Sequence, residues 1–196
     1  MSRDPIISIR NLHYSYDNSA GPALDSLSLE IPAASVTAVL GPNGSGKTTL
    51  LLILLGMLPV QQGTILFDGT PRTNGHDGTL SGLIGLVPQQ EFVPFEFSVL
   101  EYVLLGRAPH LGFLQTPDDE DYEIARHSVD LAGIGALEDR PISSLSGGER
   151  QLAMIARALA QKARVLLLDE PTSHLDLANT ARILQMVKAL ASLIVS

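Results

Sequence analysis

Hydrophobic and polar residues alternate along two stretches near the start of the chain. The alternation covers residues 6–16 and 24–31, and it predicts two strands of an antiparallel edge sheet. Short apolar runs predict three further strands, at residues 36–40, 63–67 and 82–88. Residues 47–58 predict a helix, so the segment from residue 36 onward has the order strand, glycine-rich loop, helix.

From residue 98 onward the pattern takes on a helical period. Apolar residues recur at helical spacing at Tyr122, Ala125, Val129 and Ala132, and more strongly at Leu152, Ile155, Ala156, Leu159 and Ala160. Residues 165–168 are apolar on both faces, which is typical of a central parallel strand. Residues 177–190 predict another helix, and residues 193–195 the start of another strand. The predicted fold class is therefore α/β, a mixed sheet with an antiparallel edge, interrupted by a helical insertion over residues 91–144.

Composition and charge narrow the range of functions. The chain has 196 residues, of which 45% are hydrophobic, so it can bury the core of one large domain or of a domain with a subdomain. The formal net charge of −8 argues against a nucleic-acid partner, whose phosphates require a basic surface. The absence of cysteine excludes a disulfide and a zinc–sulfur site. No signal peptide is visible and no apolar stretch approaches the roughly 20 residues of a membrane span, so we expect a soluble protein that reaches a membrane through a partner.

Residues 41–48, Gly-Pro-Asn-Gly-Ser-Gly-Lys-Thr, have the pattern of a phosphate-binding loop. The glycines let backbone N–H groups approach phosphate oxygens, and the helix that follows adds the positive end of its dipole. Lys47 would place its charge near the β- and γ-phosphates, and Thr48 would offer its hydroxyl to Mg²⁺. The structural alternative is an ordinary glycine-rich turn, and the match at every position after a predicted strand argues against it.

Two carboxylates follow the apolar run at residues 165–168. Asp169 and Glu170 would lie at the carboxyl end of a buried parallel strand, where such sheets bind ligands. Asp169 would hold Mg²⁺ through water, and Glu170 would orient or deprotonate the attacking water in phosphoryl transfer. A solvated strand end before the turn at Pro171 is the alternative.

A second glycine turn, Leu-Ser-Gly-Gly-Glu at residues 145–149, opens the strongest predicted helix. Ser146 and Glu149 have the spacing of a capping box, which explains the helix start. A cap does not need two glycines, which cost helix stability, whereas Gly147 and Gly148 would allow a phosphate to approach bare N–H groups. Because one subunit has no evident use for two such turns, Ser146 is expected to contact the γ-phosphate of a nucleotide held by another subunit.

With these motifs in this order, the chain resembles the nucleotide-binding domain of an ATP-binding cassette (ABC) transporter over nearly all of residues 6–196. The resemblance implies a P-loop NTPase core with an inserted α-helical subdomain. It assigns residues 1–90 and 145–196 to a RecA-like ATP-binding core with the antiparallel β edge. Residues 91–144 become the helical subdomain, with the signature loop at its end. It also implies ATP hydrolysis coupled to transport, with ATP and Mg²⁺ as cofactors.

The family's motifs assign roles to individual residues. Gln89 matches the Q-loop residue that touches Mg²⁺ or water, Tyr16 the aromatic residue that stacks on adenine, and Asp176 the D-loop aspartate at the dimer seam. A buried strand tyrosine is the alternative for Tyr16. The implied catalytic residues are Lys47, Gln89 and Glu170, and the implied metal-binding residues are Thr48, Gln89 and Asp169. The implied ATP-binding residues are Tyr16, Gly41, Pro42, Asn43, Gly44, Ser45, Gly46, Lys47, Thr48 and Thr49, and those acting on the neighbouring subunit are Ser146, Gly147, Gly148 and Glu149.

Two segments resemble the ATPases of iron–siderophore, haem and cobalamin importers, namely residues 102–110 and 173–176. The resemblance implies a head-to-tail dimer with a second nucleotide-binding subunit, transmembrane permease subunits and, indirectly, a solute-binding protein. It places the protein in the cytoplasm, peripheral on the inner face of the cell membrane. Phe92, Phe95 and Phe97 follow Gln89 and would line a groove for a helix of the membrane subunit, or pack inside the helical insertion.

The carboxyl end departs from the family's pattern. The family continues with a histidine that contacts the γ-phosphate, and none of the five histidines of this chain follows the last predicted strand. From this we expect a C-terminally truncated chain that binds ATP and hydrolyses it slowly or not at all. A hydrolysis-defective nucleotide-binding fragment and a soluble non-transport ABC ATPase are the alternative functions. A small-molecule kinase would explain the P-loop but not residues 145–149.

Overall fold

The computed structural model describes residues 4–17, 21–72, 82–171 and 177–193. The chain divides into two compact units, Met1–Leu80 with Lys188–Ser196, and Ser81–Val187. The assignment of residues 1–90 and 145–196 to a core and of residues 91–144 to an insertion stays a prediction.

Antiparallel strands form the sheet of the first unit, in the order β2-β1-β3-β4. They are β1 (Pro5–Tyr14), β2 (Leu24–Pro32), β3 (Gln62–Phe67) and β4 (Thr70–Pro71). Ile9 of β1 is buried and lies opposite Leu29 of β2 and Ile65 of β3. The strands predicted at residues 6–16, 24–31 and 63–67 are confirmed, and so is the antiparallel pairing.

A β-bulge shifts the register of β1 against β3. Between Arg10 and His13, β1 advances three residues while β3 advances two, and Asn11 takes a left-handed φ of 50°. Gly63 of β3 also has a positive φ, of 92°, and a Cβ there would stand 2.5 Å from the carbonyl oxygen of Asn11. The close approach therefore requires glycine at position 63.

Residues 36–40, which were predicted as a strand, lie outside both sheets of the described structure. Leu40 is 91% exposed, and Val36 and Val39 are exposed as well. An apolar run becomes a strand only when a neighbouring strand takes its N–H and C=O groups. The prediction was therefore wrong for this structure, because hydrophobicity alone does not supply that neighbour.

Helix α1 (Lys47–Leu54) follows the phosphate-binding loop and is shorter than the predicted 47–58. Gly56, two residues beyond the helix, has a φ of 84°, which ends the helical backbone. The guanidinium of Arg72 donates to the carbonyl oxygen of Ile53 and, at 3.3 Å, to that of Leu58. Burial lowers the pKa of Arg72. This cation therefore ties the end of α1 to the turn that follows it.

Two parallel strands form the sheet of the second unit, β5 (Ile84–Val87) and β6 (Val165–Leu168). The strands predicted at residues 82–88 and 165–168 are confirmed, and so is the parallel direction of the second. Within the described residues β6 has one neighbour, and Leu167 is its fully buried residue. The expectation of a central strand with two buried faces was therefore wrong in this part of the structure.

Helices make up most of the second unit, as predicted after residue 98. They are α2 (Val99–Leu104), α3 (Asp119–Leu131) and α4 (Gly147–Ala160), with 3-10 turns at Leu105–His110, Gly135–Leu137 and Ile142–Ser144. The predicted apolar face of α4 is confirmed, since Leu152, Ile155 and Ala156 are buried. In α3 Ala125 and Val129 are buried as predicted, whereas Tyr122 is exposed and Asp121 is the buried residue of the first turn.

Two carboxylates of these helices are held in their ionised form. Hydrogen bonds from the backbone and side chain of Ser98, the N-cap of α2, lower the pKa of Glu101. The side chain of Arg107 donates to Asp121 at 2.8 Å and lowers the pKa of that carboxyl, and both residues are buried. The same guanidinium donates to the carbonyl oxygen of Ala160 at 2.9 Å, so it ties α3 to the end of α4.

Helix α5 (Leu177–Leu193) confirms the helix predicted at residues 177–190 and extends past it. Leu193 is helical, so the predicted start of a strand was wrong at that residue, and residues 194–196 lie outside the described part of the chain. Among the described residues, no helix combines the length and hydrophobicity that crossing a membrane requires.

Candidate functional site

The predicted phosphate-binding loop is an exposed turn closed by its own lysine. The Nζ of Lys47 donates to the carbonyl oxygens of Gly41 at 2.7 Å and Pro42 at 3.0 Å. Gly44 and Gly46 have φ values of 81° and 88°, and a Cβ at Gly46 would stand 2.3 Å from the carbonyl oxygen of Ala23. The glycines therefore permit the turn, and the lysine keeps its charge beside backbone that is open to solvent.

Tyr16 and Thr49, both predicted to bind ATP, contact each other. Tyr16 lies two residues beyond the end of β1 and is 43% exposed, and its hydroxyl shares a hydrogen bond of 3.2 Å with that of buried Thr49. Its ring packs edge-on against buried Tyr14, with 5.0 Å between centroids. The alternative of a buried strand tyrosine is therefore wrong for Tyr16 and fits Tyr14 instead. Thr48, in contrast, is exposed.

The predicted catalytic residues Gln89 and Glu170 lie together in the second unit. Each follows one strand of the parallel pair, and the backbone N–H of Asp169 donates to the carbonyl oxygen of Val87 at 2.9 Å, so the pairing continues past the strand ends. The Nε2 of Gln89 donates to Oε2 of Glu170 at 2.9 Å. Glu170 takes a left-handed φ of 46°, which costs a non-glycine residue about 1–2 kcal/mol. Such local strain is typical of functional sites.

The candidate donors for Mg²⁺ are the hydroxyl of Thr48, the amide oxygen of Gln89 and the carboxylate of Asp169. Among the described residues, no group of three or more histidine, aspartate or glutamate side chains forms a metal cluster. Mg²⁺ does not require one, since it is bound through one or two protein oxygens together with substrate phosphates and water. These hard oxygen donors therefore fit the ion in kind. Thr48 belongs to the first unit, and Gln89 and Asp169 belong to the second.

The predicted signature turn is a complete capping box at the start of α4. The backbone N–H and the hydroxyl of Ser146 donate to Oε2 of Glu149 at 2.8 and 2.7 Å, and the N–H of Glu149 donates back to the hydroxyl at 3.4 Å. The hydrogen bond from the backbone of Ser146, and to a smaller extent the one from its side chain, lower the pKa of Glu149. Ser146 is exposed, so a hydroxyl that caps its own helix also faces solvent.

The two glycines of this turn have different roles. A Cβ at Gly147 would meet nothing within 4 Å, so this glycine leaves open backbone at the helix N-terminus. A Cβ at Gly148 would stand 2.6 Å from the side-chain nitrogen of Asn179 on α5. A Cβ at Gly148 would therefore require the Asn179 side chain to shift, a contact that the spacing of the motif does not reveal because Asn179 is distant in sequence.

Some predicted residues lie outside the described part of the chain, and the prediction for the three phenylalanines holds only in part. Asp176 and residues 173–175 lie outside the described residues. Phe97 packs against the core of the second unit, whereas Phe92 and Phe95 are exposed, so packing holds for one of the three phenylalanines. Sequence reasoning missed Gln61, Glu91 and Arg157. Their side chains contact residues that are distant in sequence. Of the three, only Glu91 could have been suspected from the sequence, because it lies two residues after Gln89.

Comparison with known proteins identifies the family. The model of the ABC transporter family matches residues 24–173. The "Probable iron chelatin transport ATP-binding protein" of Helicobacter pylori is 39% identical over 184 residues, 93% of this chain and 71% of that protein. The molybdate import ATP-binding protein MolC of Haemophilus influenzae is 39% identical over 94% of this chain and 68% of its own length. The dimeric structure of MJ0796, a bacterial ABC transporter cassette, superposes with a TM-score of 0.80 at 28% identity, over 95% of this chain and 83% of that one.

These matches confirm the predicted family and the α/β P-loop fold class, and they exclude the small-molecule kinase. The two import proteins match nearly the whole chain at an identity well above the level at which only a fold is shared. The chain belongs to the ABC transporter family, as an ATPase domain of the kind that couples ATP hydrolysis to transport.

Proposed function

We propose that this chain binds ATP with Mg²⁺ at residues 41–49 and is the ATP-binding subunit of an importer. The observation that carries the catalytic part is the hydrogen bond from Gln89 to Glu170. It joins an amide and a carboxylate at the carboxyl edge of a parallel strand pair, and either kind of group can orient the nucleophile in phosphoryl transfer.

In this proposal each residue of the site has a task. Lys47 would pair with the β- and γ-phosphates. Thr48, Gln89 and Asp169 are the residues that would hold Mg²⁺, and the ion would neutralise charge on the transferred phosphoryl group. Glu170 accepts the proton of the attacking water. Gln89 holds the Glu170 carboxylate in place by donating to its Oε2.

The signature turn acts on the nucleotide of a second subunit, in a head-to-tail dimer. Support comes from the exposed hydroxyl of Ser146 and the open backbone of Gly147, which together offer an anion the positive end of α4. The Ser146 hydroxyl donates to Glu149 in this structure, so a contact with the γ-phosphate requires it to change acceptor. The solved structure of the similar MJ0796 cassette is dimeric, which supports a second subunit in the proposal.

The membrane partner is a permease that contacts the segment after Gln89. Phe92 and Phe95 are exposed there, and exposed aromatic residues are enriched at protein interfaces. The subunit would then be peripheral on the cytoplasmic face of the membrane, and a solute-binding protein would act through the permease. The two relatives are named for different solutes, so their names do not decide which solute is carried. We propose a metal chelate as the solute class, because residues 102–110 and 173–176 resemble the ATPases of importers for such solutes.

Two substitutions test the site. Lys47→Ala removes a charge-assisted contact and is expected to weaken ATP binding by about 10- to 100-fold, measured by calorimetric titration. Glu170→Gln keeps the acceptor for Gln89 and is expected to leave ATP affinity unchanged, abolish turnover and prolong the ATP-bound dimer in size-exclusion chromatography. Lys188→Ala, on the exposed surface of α5, is the control. ATP binding by Lys47→Ala at wild-type strength would disprove the phosphate site, and absence of turnover in the wild type with its permease would favour a non-catalytic nucleotide-binding subunit.

A further inference from the structure

Gln61 continues the sheet of the first unit by means of its side chain. The last pairs of β1 are Tyr14 with Leu24 of β2 and His13 with Gln62 of β3. Ser15 follows these pairs, and the side chain of Gln61 provides the partner that the strands no longer supply. Its Oε1 accepts from the backbone N–H of Ser15 at 2.9 Å, and its Nε2 donates to the carbonyl oxygen of Ser15 at 3.0 Å.

A carboxamide can do this because it carries the same donor and acceptor as a peptide group. Both backbone groups of Ser15 are therefore bound across 46 positions of sequence. Fixing one backbone residue costs about 1–2 kcal/mol of conformational entropy, which the paired hydrogen bonds offset. As a result, the backbone is held in place one residue before Tyr16.

Tyr16 is held at two further points. Its ring packs edge-on against Tyr14, with 5.0 Å between centroids, and its hydroxyl shares a hydrogen bond with that of Thr49 at 3.2 Å. With 43% of Tyr16 exposed, part of its surface stays open to solvent. The orientation of this ring therefore depends on the Ser15 backbone, on Tyr14 and on the first turn of α1.

We propose that Gln61 is a positioning residue for the adenine base of ATP, acting through Ser15 and Tyr16. The inference rests on the proposed function together with the role that the family resemblance implies for Tyr16, which is to stack on adenine. A stacked aromatic ring is worth about 5- to 150-fold in affinity for a base. Gln61 supplies part of that gain by fixing the ring before the nucleotide arrives, so less freedom is lost on binding.

The contacts of Gln61 distinguish its role from a general effect on folding. Gln61 holds the backbone before Tyr16, whereas Lys47 and the glycine turn are the groups proposed to bind the phosphates. Loss of the Gln61 contacts should therefore weaken a ligand that carries a base and spare a ligand that consists of phosphates alone. Inorganic tripolyphosphate is such a ligand.

The test is calorimetric titration of the full chain with Mg-ATP and with Mg-tripolyphosphate. We expect Gln61→Ala to weaken ATP by about 3- to 10-fold, the value of one to two neutral hydrogen bonds, and to leave tripolyphosphate unchanged. Gln61→Glu sets a carboxylate oxygen against the carbonyl oxygen of Ser15 in place of the donor, so it should weaken ATP at least as much as Gln61→Ala does. Gln62→Ala is the matched control, an exposed neighbouring glutamine whose replacement should change neither affinity.

The variant Tyr16→Ala distinguishes the adenine site itself from the positioning role of Gln61. It should weaken ATP more than Gln61→Ala does, and the double variant should bind ATP no more weakly than Tyr16→Ala alone, because Gln61 acts through Tyr16. If Tyr16→Ala weakens ATP and Gln61→Ala does not, the positioning role is wrong and the proposed function stands. If Gln61→Ala weakens both ligands equally, its role is only structural. If Tyr16→Ala leaves ATP binding unchanged, the adenine site itself is wrong, and the role of Gln61 falls with it.

Discussion

A cluster of three polar side chains ties the segment after Gln89 to helices α2 and α4. The Nη1 of Arg157 donates to Oε1 of Glu91 at 2.6 Å, the hydroxyl of Tyr102 donates to the other oxygen of Glu91, and the Arg157 guanidinium lies 4.9 Å from the centroid of the Tyr102 ring. The Arg157 and Glu91 side chains are 20% and 27% exposed, and Tyr102 is buried. We predict that Arg157→Met destabilises the second unit.

The magnitude follows from the contacts that are lost. A hydrogen bond to a charged group contributes about 1.5–3 kcal/mol, and a cation–π contact at a partly exposed site about 0.5–1 kcal/mol. Methionine keeps part of the aliphatic packing, and partial exposure reduces the charge effect. We therefore expect Arg157→Met to lower the free energy of unfolding by about 2–3 kcal/mol. In Glu91→Gln the amide oxygen can accept from Arg157 and the amide nitrogen can donate to the Tyr102 hydroxyl oxygen, so its cost should be about 1 kcal/mol.

The assay is urea unfolding followed by circular dichroism, with both single variants and the double variant. At a slope of about 2–3 kcal/mol/M, Arg157→Met should lower the midpoint by about 1 M. The double-mutant cycle should give a coupling of about 1 kcal/mol between Glu91 and Arg157. Arg140→Met, an exposed arginine of the same unit, should stay within about 0.5 kcal/mol of the wild type. A coupling near zero would show that the pair contributes nothing and would refute this reasoning.

Two further predictions concern the glycine loop and acid stability. Gly46→Ala should destabilise the protein more than Gly44→Ala. Both glycines have a positive φ, but only at position 46 would a Cβ meet a backbone carbonyl, 2.3 Å away. Equal decreases in the thermal unfolding temperature of the two variants would contradict this. Hydrogen bonds lower the pKa values of Glu101, Asp121 and Glu149 in the folded state. Each ionised carboxylate therefore stabilises the folded state at a pH above its unfolded pKa of about 4. This stabilisation is lost as the pH falls through the folded pKa. The urea midpoint should therefore be steady just above pH 5 and decrease below about pH 4, less steeply in Glu149→Gln than in the wild type.

The sequence was sufficient for features that depend on local pattern. The capping box at Ser146 and Glu149, the antiparallel strands and the buried face of α4 follow from spacing and alternation, which the structure reproduces. The strand at residues 36–40 failed because a strand also needs a neighbour, which periodicity does not report. In the site, too, only local features were predictable. The spacing of the motif predicts Lys47 as a phosphate contact, but no local pattern predicts the hydrogen bonds between Gln61 and Ser15, which are distant in sequence.

Helix α4 connects the predicted signature turn to the segment after Gln89. It begins at the Ser146 cap and carries Arg157, about 16 Å further along at the rise of an α-helix. At that end it is held on two sides, by the ion pair with Glu91 and by Gly106, where a Cβ would stand 2.2 Å from the carbonyl oxygen of Arg157. Because the helix is continuous between these points, a movement of Glu91 must either break the ion pair or displace α4. The ion pair therefore joins the segment after Gln89 to the helix that begins at the turn proposed to meet the nucleotide of a second subunit.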